Sequence, residues 1–216
     1  VGACGHTVDE LHHLLRHDAS APHRAPSDSE IVTALVAVRQ AGGDALGEEA
    51  RVEAVKLAVA DALGLSPAAV GALMSVDLAG ENTSVQAVLA HDAFLYPSPE
   101  PEAPHEDMRR AGAQNQLAAF LLWERLVKLK ALTDAWALSP AELASWVASS
   151  HADVLSPSCV SRVATTADAT FRTDVARLIQ TGRLLRAGRS LPGVGDAADV
   201  LSAFGELLTR RAEEAG

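Results

Sequence analysis

Five of the eight histidines stand before residue 24, at positions 6, 12, 13, 17 and 23, and form the densest group of metal-capable side chains in the sequence. His13 and His17 are four apart and Asp9 is four before His13, so on a helix all three line one face, the spacing of two-histidine metal sites. Cys4 is near enough in sequence to join them. The His-Glu-x-x-His pattern of zinc hydrolases is missing, and His12 and His13 project roughly 100° apart on a helix. A solvated polar face is the ordinary reading of such a stretch, and no metal or other cofactor is assigned to it.

Nucleophilic chemistry has less support. No Gly-x-Ser-x-Gly elbow is present, and Cys159 has no local histidine and no flanking signature of a catalytic cysteine, which leaves it as a small buried apolar residue. Gly193-Val194-Gly195 lacks the third glycine of a dinucleotide fingerprint and no predicted strand precedes it, so it reads as an interhelical turn. The pairs Glu48-Glu49 and Glu213-Glu214 fall at solvated helix ends. No catalytic residue is assigned and the chain is not expected to be an enzyme. The competing reading is an independent all-α metal-binding protein or enzyme with its site near the N-terminal histidines.

Charge points toward protein partners. Eighteen basic residues against 28 acidic ones leave a net charge of −10, which disfavours a nucleic-acid backbone. Arg162, Arg172, Arg177, Arg183, Arg186 and Arg189 nevertheless crowd one segment against only Asp168 and Asp174. A solvated helix face is the usual origin of such a run; if a partner is bound, Arg172, Arg183 and Arg186 are its candidate contacts. Trp123, Trp136 and Trp146 are expected in the core, with Trp123 off the main stripe of its helix and a candidate contact for a neighbouring domain.

The elements that would carry these residues are helices. Apolar volume comes mainly from Ala, Leu and Val, only 4% of residues are aromatic, and the periodic segments step by three or four. Thr7 with Glu10 and Ser27 with Glu30 are capping boxes, opening helices with the stripes Leu11, Leu14, Leu15 and Ile31, Leu35, Val38; Gly42 and Gly43 are expected to close the second. A third helix from Glu48 carries Val52, Val55, Val59 and Leu63, stops at Gly64, and is followed by Ser66-Pro67 as N-cap and first residue of a helix reaching about Met74.

Pro97 to Pro104 removes four backbone donors and must be a loop. It separates an N-terminal part, 1–96, from a C-terminal part, 105–216, within one continuous helical assembly. The longest helix is expected from Glu106 to Ala137, with Leu122, Leu126, Leu129 and Trp136 inward and Glu124 and Lys128 on the opposite face. Ser139-Pro140 with Glu142 opens the next helix; others are expected over 161–186 and 196–214. No apolar run is long enough to span a bilayer and the two cysteines make no disulfide framework, so the chain reads as soluble, without membrane contact. Starting at Val1 without a signal-like segment, it is expected to be processed or cut from something longer.

Leu65-Ser66-Pro67-Ala68 recurs as Leu138-Ser139-Pro140-Ala141, an offset of 73 residues that also pairs Ala58 with Ala131, Asp61 with Asp134 and Ala62 with Ala135. The fold class is therefore all-α, an array of antiparallel helical hairpins or an irregular bundle, with an internal duplication.

Three stretches resemble the α-helical shell of the A component of insecticidal toxin complexes, the Tc toxins. Thr7 to His17 is similar to that family's Leu-x-x-Leu-Leu-Arg-His helix, Leu57 to Met74 to its Leu-Gly-Leu-Ser units, and Leu126 to Val147 to its Leu-Ser-x-x-Glu-Leu units; residues 156–216 carry no motif of the family. The resemblance implies a virulence factor: a secreted homo-oligomer whose shell surrounds a translocation channel and which delivers a toxic enzyme supplied by other components. This segment would then be structural, packing against other domains or subunits of that complex.

The two serine caps are expected to differ. Ser139→Ala should cost on the order of 1 kcal/mol, and Ser66→Ala less, because Ala69 stands where Glu142 completes the second capping box. Urea denaturation of the two variants checks this, and equal, negligible losses would show that neither serine is a cap.

Overall fold

The computed structural model describes residues 7–16, 26–76, 84–96, 114–148, 154–161 and 168–190. Among them there is no strand, and the fold is all-α. The helices are α1 (Val8–Arg16), α2 (Asp28–Asp44), α3 (Glu48–Leu63), α4 (Pro67–Met74), α5 (Val85–Leu89), α6 (Asp92–Leu95), α7 (Gln114–Trp136), α8 (Pro140–Ala148) and α9 (Asp168–Ser190), with a 3-10 turn at Pro157–Ser161. The chain forms two compact units, one of Pro22–Ala131 and one of Val1–Ala21 with Leu132–Gly216, so the division falls inside α7. The Pro-rich loop at 97–104, the turn at Gly193–Gly195 and the expected helix 196–214 lie outside the described residues.

In the unit Pro22–Ala131, Ser27 and Glu30 form both halves of the capping box that opens α2. Ile31, Leu35 and Val38 then face α3, whose Val55, Val59 and Leu63 are buried. Gly42 and Gly43 do not close α2 as expected; the helix runs through them to Asp44. Gly42 has a packing reason, because a Cβ there would lie 2.7 Å from both Leu95 Cδ2 and Val55 Cγ2. The short helices α5 and α6, absent from the sequence reading, open on Ser84 and His91, whose side chains accept from the amides of Ala87 and Ala93. They place Phe94 and Leu95 in the core. Arg51 pairs with Asp92 at 2.8 Å and lies over the Tyr96 ring, while the Tyr96 hydroxyl donates to Gly43 O at 3.1 Å.

In the other unit α1 buries Leu11, Leu14 and Leu15 against α9 and the 3-10 turn. The helix expected over 161–186 begins instead at Asp168 and extends to Ser190, and Ser161 belongs to the 3-10 turn. The Trp136 and Trp146 rings meet edge to face, centroids 5.1 Å apart. The indole of Trp146 donates to Leu155 O at 2.6 Å, and Leu155 N donates in turn to Thr181 Oγ1 of α9 at 2.9 Å.

The sequence echo is also an echo of geometry. Both α3 and α7 end on a left-handed residue, Gly64 at φ 63° and Ala137 at φ 48°. At each end the same bonds recur: Gly64 N to Asp61 O and Leu65 N to Ala60 O, then Ala137 N to Asp134 O and Leu138 N to Thr133 O. Ser66 and Ser139 both cap the helix that follows, accepting from Ala69 N and Glu142 N at 3.2 Å. From Ala58 to Leu73 and from Ala131 to Trp146, buried, half-buried and exposed positions follow in the same order. The axes of α3 and α4 turn by 114°, a helical corner rather than the antiparallel return of a hairpin.

Gly42→Ala should destabilise the protein by about 1–3 kcal/mol, since two core side chains must retreat from the new methyl. Gly43→Ala, whose nearest neighbour would be 3.7 Å away, should be neutral or slightly stabilising through helix propensity. Urea denaturation of the pair checks this; equal effects would show that the α2–α3 approach tolerates a side chain.

Candidate functional site

The N-terminal histidine group is only partly described. His17, His6, His23 and Cys4 lie outside the described residues, as does the Asp9 side chain. His12 stacks on Phe171 of α9, ring centroids 4.7 Å apart and planes 27° from parallel, which ties it to the packing of α1 on α9. Among the described residues no group of three or more His, Cys, Asp or Glu side chains is placed to hold a metal.

Cys159 is buried, as expected of a small apolar residue, and its thiol donates to Asp174 Oδ1 at 3.6 Å. A carboxylate faces the sulfur, where an activated nucleophilic cysteine has an electropositive setting. Arg177 Nη1 lies 3.7 Å from the same Asp174 oxygen. The arginine segment is thus not uniformly a solvated face. Arg172, Arg183 and Arg186 are exposed, Arg186 also donating to Gly182 O at 3.0 Å within its own helix, whereas Arg189 is drawn to another element. Arg162 lies outside the described residues.

Arg189 joins three residues in one polar cluster. Its guanidinium donates to Glu142 Oε1 at 2.8 Å, Glu142 Oε2 at 3.0 Å, Trp136 O at 2.8 Å and Ala137 O at 3.0 Å. Glu142 also accepts from Ser139 N at 2.7 Å as the second half of the capping box. Burial pushes the Glu142 carboxyl up, but the Arg189 guanidinium and the Ser139 donors outweigh it and hold the group below its ordinary value. One arginine therefore closes the C-terminus of α7, whose last carbonyls have no partner within the helix, and charges the N-terminus of α8. Glu142 is recognisable as a capping residue from its spacing to Ser139, whereas Arg189, 47 positions away, carries no local signal.

α7 departs from its predicted stripe. Trp123, expected off the stripe and open to a neighbour, is buried, as are Phe120 and Thr133. Lys128, expected on the solvated face with Glu124, is only 2% exposed. It occupies the position that Val55 holds in the first corner. Burial pushes its amine from 10.5 down to about 8, with Glu124 opposing the fall and Arg125 adding to it. A narrow-stripe reading fails here because α7 is covered on most of its circumference, which no periodicity reports.

No known protein family, curated protein or solved structure matches the chain.

Lys128 should leave a mark on the pH dependence of stability. Between pH 8 and 10.5 the folded protein has released this proton and the unfolded chain has not, so stability should rise across that window by up to about 3 kcal/mol. Lys128→Met should lack the rise and be more stable at pH 7 by roughly 1–3 kcal/mol. Urea midpoints at a series of pH values check both, and an unchanged rise in the variant would place its source elsewhere.

Proposed function

We propose that this chain is a non-catalytic structural segment of a larger secreted protein, a packing piece of the helical shell of a Tc-toxin-like A component. The observation that supports this most is how the described polar side chains with chemical capacity are used. Trp146, Thr181, Glu142 and Arg189 are spent on joining one helix to another, and the buried Cys159 thiol is bonded to a carboxylate. A repeated helical corner built on the same backbone bonds adds to the reading, since recurrence of one packing unit is how extended helical shells are made.

On this reading the partners are neighbouring domains or subunits of the parent, which assembles as a homo-oligomer. The toxic activity belongs to a cargo enzyme carried by other components. Arg172, Arg183 and Arg186, exposed on α9, are the basic contacts such a neighbour would meet. Among the described residues no single helix is long and apolar enough to cross a membrane; α3 and α4 pass that test only together, across a 114° break.

The experiment is to recover the complete reading frame from the source genome and examine its purified product by light scattering and electron microscopy. A frame far longer than this chain, whose product is a ring-like homo-oligomer with these residues in its outer helices, is expected. A frame consisting of this segment alone, with zinc-dependent turnover lost on His13→Ala, would replace this reading with the metal-enzyme alternative.

A further inference from the structure

The two corners share their backbone bonds but not their cost. The first ends on Gly64, for which a left-handed conformation carries no steric penalty. The second ends on Ala137 at φ 48°, where a Cβ makes that conformation unfavourable. Beside it the Trp136 indole nitrogen is buried with no hydrogen-bond partner, and a Cβ on Gly182 of α9 would approach it to 3.2 Å. Two local costs thus converge on Trp136 and Ala137, and the residues facing them across the corner are Glu142 of α8 and Arg189 of α9. The counterpart of Glu142 in the first corner is Ala69.

We propose that the Trp136–Ala137 corner is a strained hinge held shut by Arg189, so that the last turn of α9 acts as a latch on the angle between α7 and α8. Arg189 reaches both carbonyls of the strained segment and both oxygens of the α8 capping carboxylate. It is itself at the surface, its side chain 35% exposed, where a competing anionic group can reach it. When the guanidinium leaves, Trp136 O and Ala137 O lose their partners, and Ala137 is no longer held from returning to negative φ. That return breaks the bonds from Ala137 N and Leu138 N into α7 and lets α8 swing. Strain concentrated at one point and held by contacts from elsewhere is the usual mark of a conformational element rather than of a passive turn.

Amide hydrogen exchange read residue by residue tests this. Arg189→Gln should speed exchange at the Leu138 amide by on the order of tenfold. Leu65, its counterpart in the first corner, should stay unchanged. Ala137→Gly should slow exchange at Leu138 by about fivefold, and adding it to Arg189→Gln should recover a similar factor. If Arg189→Gln fails to fold, Arg189→Lys, which keeps the charge but loses the fork, should show the same pattern more weakly. Loss of protection spread evenly over α8 and α9 would make Arg189 an ordinary stabiliser and overturn the proposal. An Ala137→Gly variant that exchanges at the wild-type rate or faster would do the same.

Discussion

Helix ends set the terms on which this protein folds. Each helix leaves carbonyls at its C-terminus and amides at its N-terminus without partners in the helix itself, and a corner between two packed helices buries both sets at once. Here the same solution is used twice. A left-handed residue turns the chain so that two amides reach back into the helix that ends there, and the serine two residues after it receives an amide of the next. The order of buried and exposed positions around the two corners follows from that shared backbone path, because the turn determines which face each helix presents to its unit.

What differs between the corners is what fills the shared frame. The first is apolar and small, with Val55, Leu63, Ala69 and Leu73 at the buried positions. The second holds Lys128, Trp136, Glu142 and Trp146 at the equivalent ones. Two of these find partners near the 3-10 turn and on α9, Leu155 O for Trp146 and the Arg189 fork for Glu142. These polar groups hold neighbouring helices at set angles.

Local chemistry was readable from the residues alone. The capping boxes at Thr7 and Ser139, the left-handed stop at Gly64 and the proline at the first position of α4 each depend on side chains within a few positions of one another. Such contacts are fixed by spacing, so sequence determined the helical class, many helix starts and the recurrence of the Leu-Ser-Pro-Ala unit, whereas its 114° corner in place of an antiparallel hairpin came only with the structure. The short helices α5 and α6 escaped because five and four residues are too few to show a period.

Tertiary structure decided the rest. Gly42 and Gly43 resemble a helix stop in sequence, yet the helix runs through them, and at Gly42 Leu95 and Val55 fill the space a side chain would occupy. Lys128 and Trp123 left the faces that periodicity assigned them, since the breadth of burial around α7 is set by what packs on it. Arg189 belongs to a run of arginines that sequence treats alike, and only the path of α9 brings it to Ala137 and Glu142. Bonds between neighbours in sequence can be inferred from residue type and spacing, whereas contacts across some fifty positions exist only once the helices have taken their places.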